Sequence, residues 1–202
     1  MSKEGGFANP MPAGLVALGM VCFLFYAVMT GKVGAGSAPL MGMWMIGGFV
    51  VQVIVGVIEL KEGNLSGGNV FTWFSGFFML ATGLEFITKF LAAQYGWQLD
   101  ARIDGWGWAA LALSLILWTP VYFRSPLYML IAVLCFDVAL PLLALMDLGI
   151  ISKAAAAPVI GWLALVAGCG GLLLAAAIVV NTTFGRSIIP CPGPIIKVPA
   201  SH

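Results

Sequence analysis

The chain has 202 residues and a formal net charge of +1; 61% of its residues are hydrophobic and 8% are charged. Soluble domains carry about a quarter charged residues, so this composition describes an integral membrane protein with little length left over for a soluble domain. Nine Lys and Arg, scattered along the chain, make no basic patch, which excludes nucleic acid and other polyanions as partners.

Six apolar spans follow in order, at residues 12–30, 39–60, 69–93, 106–123, 127–146 and 158–180. Each is near the ~20 residues that a helix needs to cross the hydrocarbon core, and none shows the short alternating segments of a β-barrel. The predicted fold is an all-α integral membrane protein of six transmembrane helices. Residues 1–11 form an N-terminal segment, 12–180 the transmembrane domain and 181–202 a C-terminal tail. The first ten residues do not read as a cleaved signal, because Glu4 follows Lys3 and the apolar run behind them is a full span.

Asn9-Pro10-Met11-Pro12-Ala13-Gly14-Leu15 opens the first span. Asn is a good helix cap, and Pro suits the first turn, where its missing N–H is not needed. The motif predicts a sharp helix start that gathers free N–H groups and the positive dipole end in one place, a ready site for a carboxylate. Residues 31–37 make a glycine-rich loop, and residues 61–68 turn into the third span, whose first turn holds Asn69 and Thr72 as candidate caps. Tyr95, Trp97, Trp106 and Trp108 crowd one boundary, as an interfacial aromatic belt does, around a loop carrying Asp100, Arg102 and Asp104.

An even number of spans places both termini on one side. That side holds Lys3, Lys61, Arg124, Arg186 and Lys197; the other holds Lys32, Arg102 and Lys153, with Lys89 near it. The excess predicts cytoplasmic termini and a place in the cell (inner) membrane. Cys22, Cys135, Cys169 and Cys191 are far apart with no CxxC or His-pair spacing, and the only histidine, His202, ends the chain. No metal, cofactor or His-based catalytic triad is therefore expected. The glycines inside the spans, Gly42, Gly56, Gly83 and Gly168 among them, read first as close helix packing. Gly14 and Gly19, beside the opening motif, read as candidates for pore lining.

Ionisable groups inside spans are costly and tend to face a cavity or a partner. Glu59, near the end of the second span, reads as a helix-end carboxylate bonded to neighbouring N–H groups or to Asn64. A bare carboxylate on an anion path would repel its substrate. Glu85 and Lys89 stand four apart in the favourable order for a helical ion pair; the functional alternative is a charged rim on which Lys89 attracts anions. Asp137 lies near the middle of the fifth span. It reads either as a proton carrier or as a hydrogen-bonded acid tying its helix to a neighbour. Gln52 and Thr72 are neutral groups that can hydrogen-bond a carboxylate without trapping it.

Three motifs carry a family resemblance. Asn9, Pro10, Pro12, Gly14 and Leu15 keep the pattern Asn-Pro-Ala-Pro-Leu-Gly-Leu, from which Met11 and Ala13 depart. Gln52, Glu59 and Gly63-Asn64 form the second, and Asn181-Thr182-Thr183-Phe184-Gly185-Arg186 with Pro190, preceded by Gly161-Trp162, the third. Together they resemble the acetate uptake transporter family, also called succinate–acetate permeases. The resemblance implies a homohexamer with one pore through each six-helix protomer, and binding of substrate by Asn9, Pro10, Gly14 and Gln52, to which the hydroxyl of Thr72 is added on its chemistry alone. It implies a hydrophobic constriction at Leu18, Phe74 and Val138. The family's bacterial members carry an aromatic residue and a tyrosine at the first two positions, so Leu18 and Phe74 predict a wider or drier neck.

The expected function is transport of small monocarboxylate anions, chiefly acetate and also succinate, by a channel or a proton-coupled permease. Its partners are that substrate, protons, membrane lipid and further copies of the chain. The alternative is a hexameric channel for urea or short amides. An enzyme is the weakest reading, since no clustered His, Cys or Ser–Lys set is present.

Overall fold

The computed structural model describes residues 6–197; Lys3, Glu4 and His202 lie outside the described residues. Six long helices cover almost all of this length. They are α1 (Met11–Met29), α2 (Ala38–Lys61), α3 (Leu65–Tyr95), α4 (Arg102–Tyr122), α5 (Leu127–Asp147) and α6 (Lys153–Phe184). Five of them, all but α4, are both long enough and apolar enough to cross a membrane. Helix α4 has 21 residues, but Trp106, Trp108, Trp118, Thr119, Pro120 and Tyr122 dilute its hydropathy.

Several helices begin earlier than hydropathy predicts, because polar first turns extend them beyond the apolar run. Asn64, not Asn69 or Thr72, caps α3: its side-chain carbonyl accepts the N–H of Gly67 at 3.1 Å. Asn69 and Thr72 instead donate back to the carbonyls of Leu65 and Gly68, one turn earlier. Ser152 caps α6 five residues before Pro158 would have started it, and the proline is carried inside the helix. At the other end α6 runs through Asn181–Phe184 and stops at Gly185, whose φ of 63° is the left-handed conformation that glycine adopts without strain. Gly96 ends α3 in the same way, at φ 71°.

Helix α1 packs between α2 and α6; α3 lies on α2, and α5 joins α6 to α4. The contact of α2 with α3 is made by backbone. A methyl group on Gly42 would sit 2.5 Å from the carbonyl oxygen of Gly83, and one on Gly83 would sit 2.9 Å from that of Gly42. Gly56 and Gly168 meet Thr72 and Cys22 as closely. The α3 seam with α4 and α5, by contrast, is built from rings. Phe78 meets Trp108 and Phe136, Phe74 meets Phe136, and Trp73 meets Trp118. Trp108 is thus a buried core residue rather than a member of the interfacial belt, whereas Tyr95, Trp97 and Trp106 remain exposed.

The middle of α3, Phe74–Ala81, is wound more widely, with i→i+5 bonding. The hydroxyl of Thr82 donates to the carbonyl of Phe77, five residues back, at 3.1 Å. Wide turns of this kind inside α-helices recur at functional sites. Phe74 and Phe78, both within this stretch, are buried on its inward side.

The C-terminal segment folds back across one end of the bundle. Asn181 donates to the carbonyl of Ile189 and accepts the N–H groups of Ile188 and Ile189. Pro192, Pro190 and Ile196 bond Leu127, the Tyr128 hydroxyl and Phe123. The same end receives the N-terminal segment, where Phe7 donates to Glu62 and lies under the Lys61 ammonium.

Gly42→Ala should force α2 and α3 apart and lower stability by about 1–3 kcal/mol, read as an earlier thermal midpoint in detergent. Gly107→Ala, where a methyl group meets open space, should leave the midpoint unchanged or raise it.

Candidate functional site

A cavity of about 40 Å³ lies between five of the six helices. Helix α1 contributes Leu15 and Leu18, α2 Gln52, α3 Val70, Phe71 and Phe74, α4 Leu115 and Tyr122, and α5 Met129, Ala132, Val133 and Phe136. A water needs roughly 10–15 Å³ in such a cavity, so the space suits about three waters or one solute of a few heavy atoms. None of the lining side chains is charged. Two are polar, and both are buried: Gln52 is 1% exposed and Tyr122 4%.

Gln52 is oriented by a single bond. Its amide Nε2 donates to the carbonyl of Gly14 at 3.2 Å. A carbonyl oxygen can only accept, so the nitrogen must face it, and Oε1 is left as a buried acceptor without a partner. Gly14 instead makes room for α3, since a methyl group there would lie 2.6 Å from the Phe71 ring. The hydroxyl of Tyr122 is likewise buried and unpartnered among the described residues. Tyr122 also borders a second, polar-edged groove with Asn64, Ser66 and Asn69, so it stands where groove and cavity meet.

The structure brings together Gly14, Leu18, Gln52 and Phe74 of the predicted site and separates the rest from it. Val138 is 50% exposed on the outer surface of α5. It stands two residues beyond Phe136, about 200° around the helix, and Phe136 with Val133 and Ala132 forms the wall in its place. Val138, predicted as the third constriction residue, therefore does not line the cavity, and Phe136 does. Leu18 and Phe74 both line the cavity, and Phe74 packs against Trp73, Phe78 and Phe136.

Thr72 is exposed, and its hydroxyl bonds the carbonyl of Gly68; it belongs to the α2 contact and not to the cavity. Asn9 and Pro10 open on an outer groove between α1 and α6. The expected free N–H groups are also absent there. Asn9 accepts the N–H of Met11 at 2.9 Å, Pro12 has none, and that of Ala13 bonds the Pro10 carbonyl at 3.1 Å. The helix start of α1 is a sealed end and not an anion cradle.

The charged residues act as ties. Glu59 is buried and accepts from the Asn64 amide, at the turn that starts α3. Asp137 accepts from the Thr119 hydroxyl at 2.7 Å, which joins α5 to α4, while its other oxygen is buried without a partner. Lys89 bonds Glu85 at 2.6 Å and also Asp104 at 2.8 Å, which joins α3 to α4. With a carboxylate on each side, Lys89 offers no excess positive charge to an anion. On the exposed loop before α4, the Arg102 guanidinium holds the Asp100 carboxyl down to about 2. Being lowered, that group's contribution is present above its ordinary range and lost only as pH falls through about 2.

Phe71, Tyr122 and Phe136 were not found from the sequence. The spacing of Ala132, Val133 and Phe136 is that of one helix face, but every span here is apolar all round, so no face stands out. Tyr122 ends its span, where a tyrosine reads as an interfacial anchor.

Long apolar helices around a small, mostly apolar cavity define a multi-pass α-helical membrane protein. The chain belongs to the GPR1/FUN34/yaaH family, whose profile matches residues 2–192. It is 27% identical over 186 residues to the succinate-acetate/proton symporter SatP of Escherichia coli strain K12, covering 91% of this chain and 94% of that one. The SatP proteins of Escherichia coli O157:H7 and Shigella flexneri match to the same extent. A solved structure described as the bacterial acetate channel SatP shares the fold, with a TM-score of 0.75, 24% identity, and coverage of 92% of this chain and 99% of that one.

Lys89→Met would leave Glu85 and Asp104 facing each other without a cation. The cluster is partly exposed, so we expect a loss of about 1–3 kcal/mol, measurable as a lower midpoint of thermal unfolding that high salt partly restores.

Proposed function

We propose that the chain carries small carboxylates, chiefly the monocarboxylate acetate and also the dicarboxylate succinate, across the cell (inner) membrane. The observation that supports this best is the cavity itself. It has room for a solute the size of acetate, its walls are apolar, and its two polar side chains are neutral. Such a site can hold a carboxyl group briefly without the trapping that a fixed cation would impose. The names of the SatP relatives point to the same substrates.

In this reading all six helices cross the membrane, α4 with its aromatic-rich flanks included, and both termini lie in the cytoplasm. Asn9 and Pro10 then serve as the sealed start of α1 beside the path, while Gly14, Leu18, Gln52 and Phe74 stand on it. Uptake of radiolabelled acetate into proteoliposomes, with urea as control, tests the reading. Protein-dependent acetate uptake without urea flux is expected. Urea flux alone would favour a channel for short amides.

Proton drive is the second element of the proposal, and Asp137 is the candidate carrier. Asp137→Asn retains an acceptor for Thr119, so the fold should persist. If Asp137 carries the coupled proton, the variant should equilibrate acetate but no longer accumulate it against a gradient. Full accumulation by the variant would remove Asp137 from the proton path.

We also place six copies in a ring, with the groove of Ala13, Ala17, Gly47 and Gly48 on α1 and α2 receiving a neighbour; small residues there let helices approach closely. Native mass spectrometry should give a hexamer, and a monomer under conditions that preserve uptake would refute it.

A further inference from the structure

Resting on the transport reading above, we propose that residues 186–196 form a strap that closes one end of the cavity, and that solute passes only when the strap lifts. The strap leaves α6 at Gly185 and crosses the end of the bundle that also receives the N-terminal segment. It cannot continue as a helix, because Pro190, Pro192 and Pro194 have no N–H to give to a helical ladder.

What the strap holds is the turn between α4 and α5. The carbonyl of Pro192 accepts the N–H of Leu127 at 3.0 Å, and that of Pro190 accepts the Tyr128 hydroxyl at 3.1 Å. The N–H of Ile196 donates to the carbonyl of Phe123 at 2.9 Å. These anchors flank two residues of the cavity wall: Phe123 follows Tyr122, and Leu127 and Tyr128 precede Met129. Asn181 fixes the start of the strap through Ile188 and Ile189. Between the two sets of bonds, Cys191 joins the edge of the apolar cluster around Leu15 and Phe71, as do Val70 and Met129. Leu15, Val70, Phe71 and Met129 all line the cavity, so the strap shares a cluster with the cavity wall.

The strap is lightly held. Ile188, Ile195 and Ile196 are 44%, 61% and 47% exposed, so hydrogen bonds rather than burial keep it in place. A segment with few buried apolar contacts opens before the helices it lies on. Beside it lies a way out of the cavity. Tyr122 borders both the cavity and the groove of Asn64, Ser66 and Asn69. With the strap down, the α4–α5 turn is pinned and Tyr122 stands between cavity and groove. With the strap up, the turn is free, Tyr122 and Met129 move with it, and the cavity opens to the groove.

Two measurements on the full chain test this. One is the rate at which N-ethylmaleimide alkylates Cys191 in detergent, read by peptide mass so that the exposed Cys169 is counted separately. The other is protein-dependent uptake of radiolabelled acetate into proteoliposomes. Tyr128→Phe removes one strap bond and keeps the ring; Asn181→Ala removes the bonds to Ile188 and Ile189. Tyr128→Phe should raise alkylation and uptake together, each about fivefold, the effect of one lost hydrogen bond on the lifted population. Asn181→Ala should raise both further; should it fail to fold, Tyr128→Phe decides alone. Faster alkylation with uptake lowered, or held within about twofold, would make the strap a structural tie and overturn the proposal. Alkylation unchanged by the substitutions would overturn it too. Faster alkylation with no protein-dependent uptake by the unmodified chain or either variant would instead overturn the transport reading beneath it.

Discussion

The bond from the Gln52 amide to the Gly14 carbonyl sets the geometry on which the cavity depends. A buried amide must satisfy its N–H groups, and in an apolar bundle few acceptors are open, because helical carbonyls are spent on their own ladders. The Gly14 carbonyl accepts from Gln52 of α2, and Phe71 of α3 occupies the space a Gly14 side chain would have filled. Three helices are thereby held in register around one polar group. The other amide atom, Oε1, is left buried without a partner.

Around that point the protein uses two kinds of helix contact. Where α2 meets α3, glycines bring backbones together; where α3 meets α4 and α5, aromatic rings hold them apart. The cavity lies at the second kind of seam, since rings of fixed shape leave gaps that backbone contacts do not. Phe74 and Phe78, in the widely wound stretch Phe74–Ala81 of α3, both lie along this seam. Charge is used elsewhere: Lys89 with Glu85 and Asp104 closes α3 onto α4, and Thr119 with Asp137 closes α4 onto α5.

Helix number and order were legible in the sequence, because long apolar runs separated by Gly, Pro and charged residues have one economical interpretation in a bilayer. Gln52, Glu59 and Asn64 were also legible, because polar groups in apolar spans must have a reason for being there. The start of α1 was misjudged: the residues that mark a helix start also consumed the donors expected to be free there. Asn181, placed by its motif, proved to be the clasp of the folded-back tail, which only the position of Ile188 and Ile189 reveals.

Composition and the length of the apolar runs thus determined a helical membrane protein, and its polar residues determined where to look within it. The tertiary structure alone decided which faces of those helices turn inward. Every span is apolar on all sides, so hydropathy carries no phase, and a residue two positions from the cavity wall, as Val138 is from Phe136, cannot be told from one on it. Facing is set instead by glycine contacts, by ring packing and by the one bond that Gln52 makes, which are relations between residues distant in the chain.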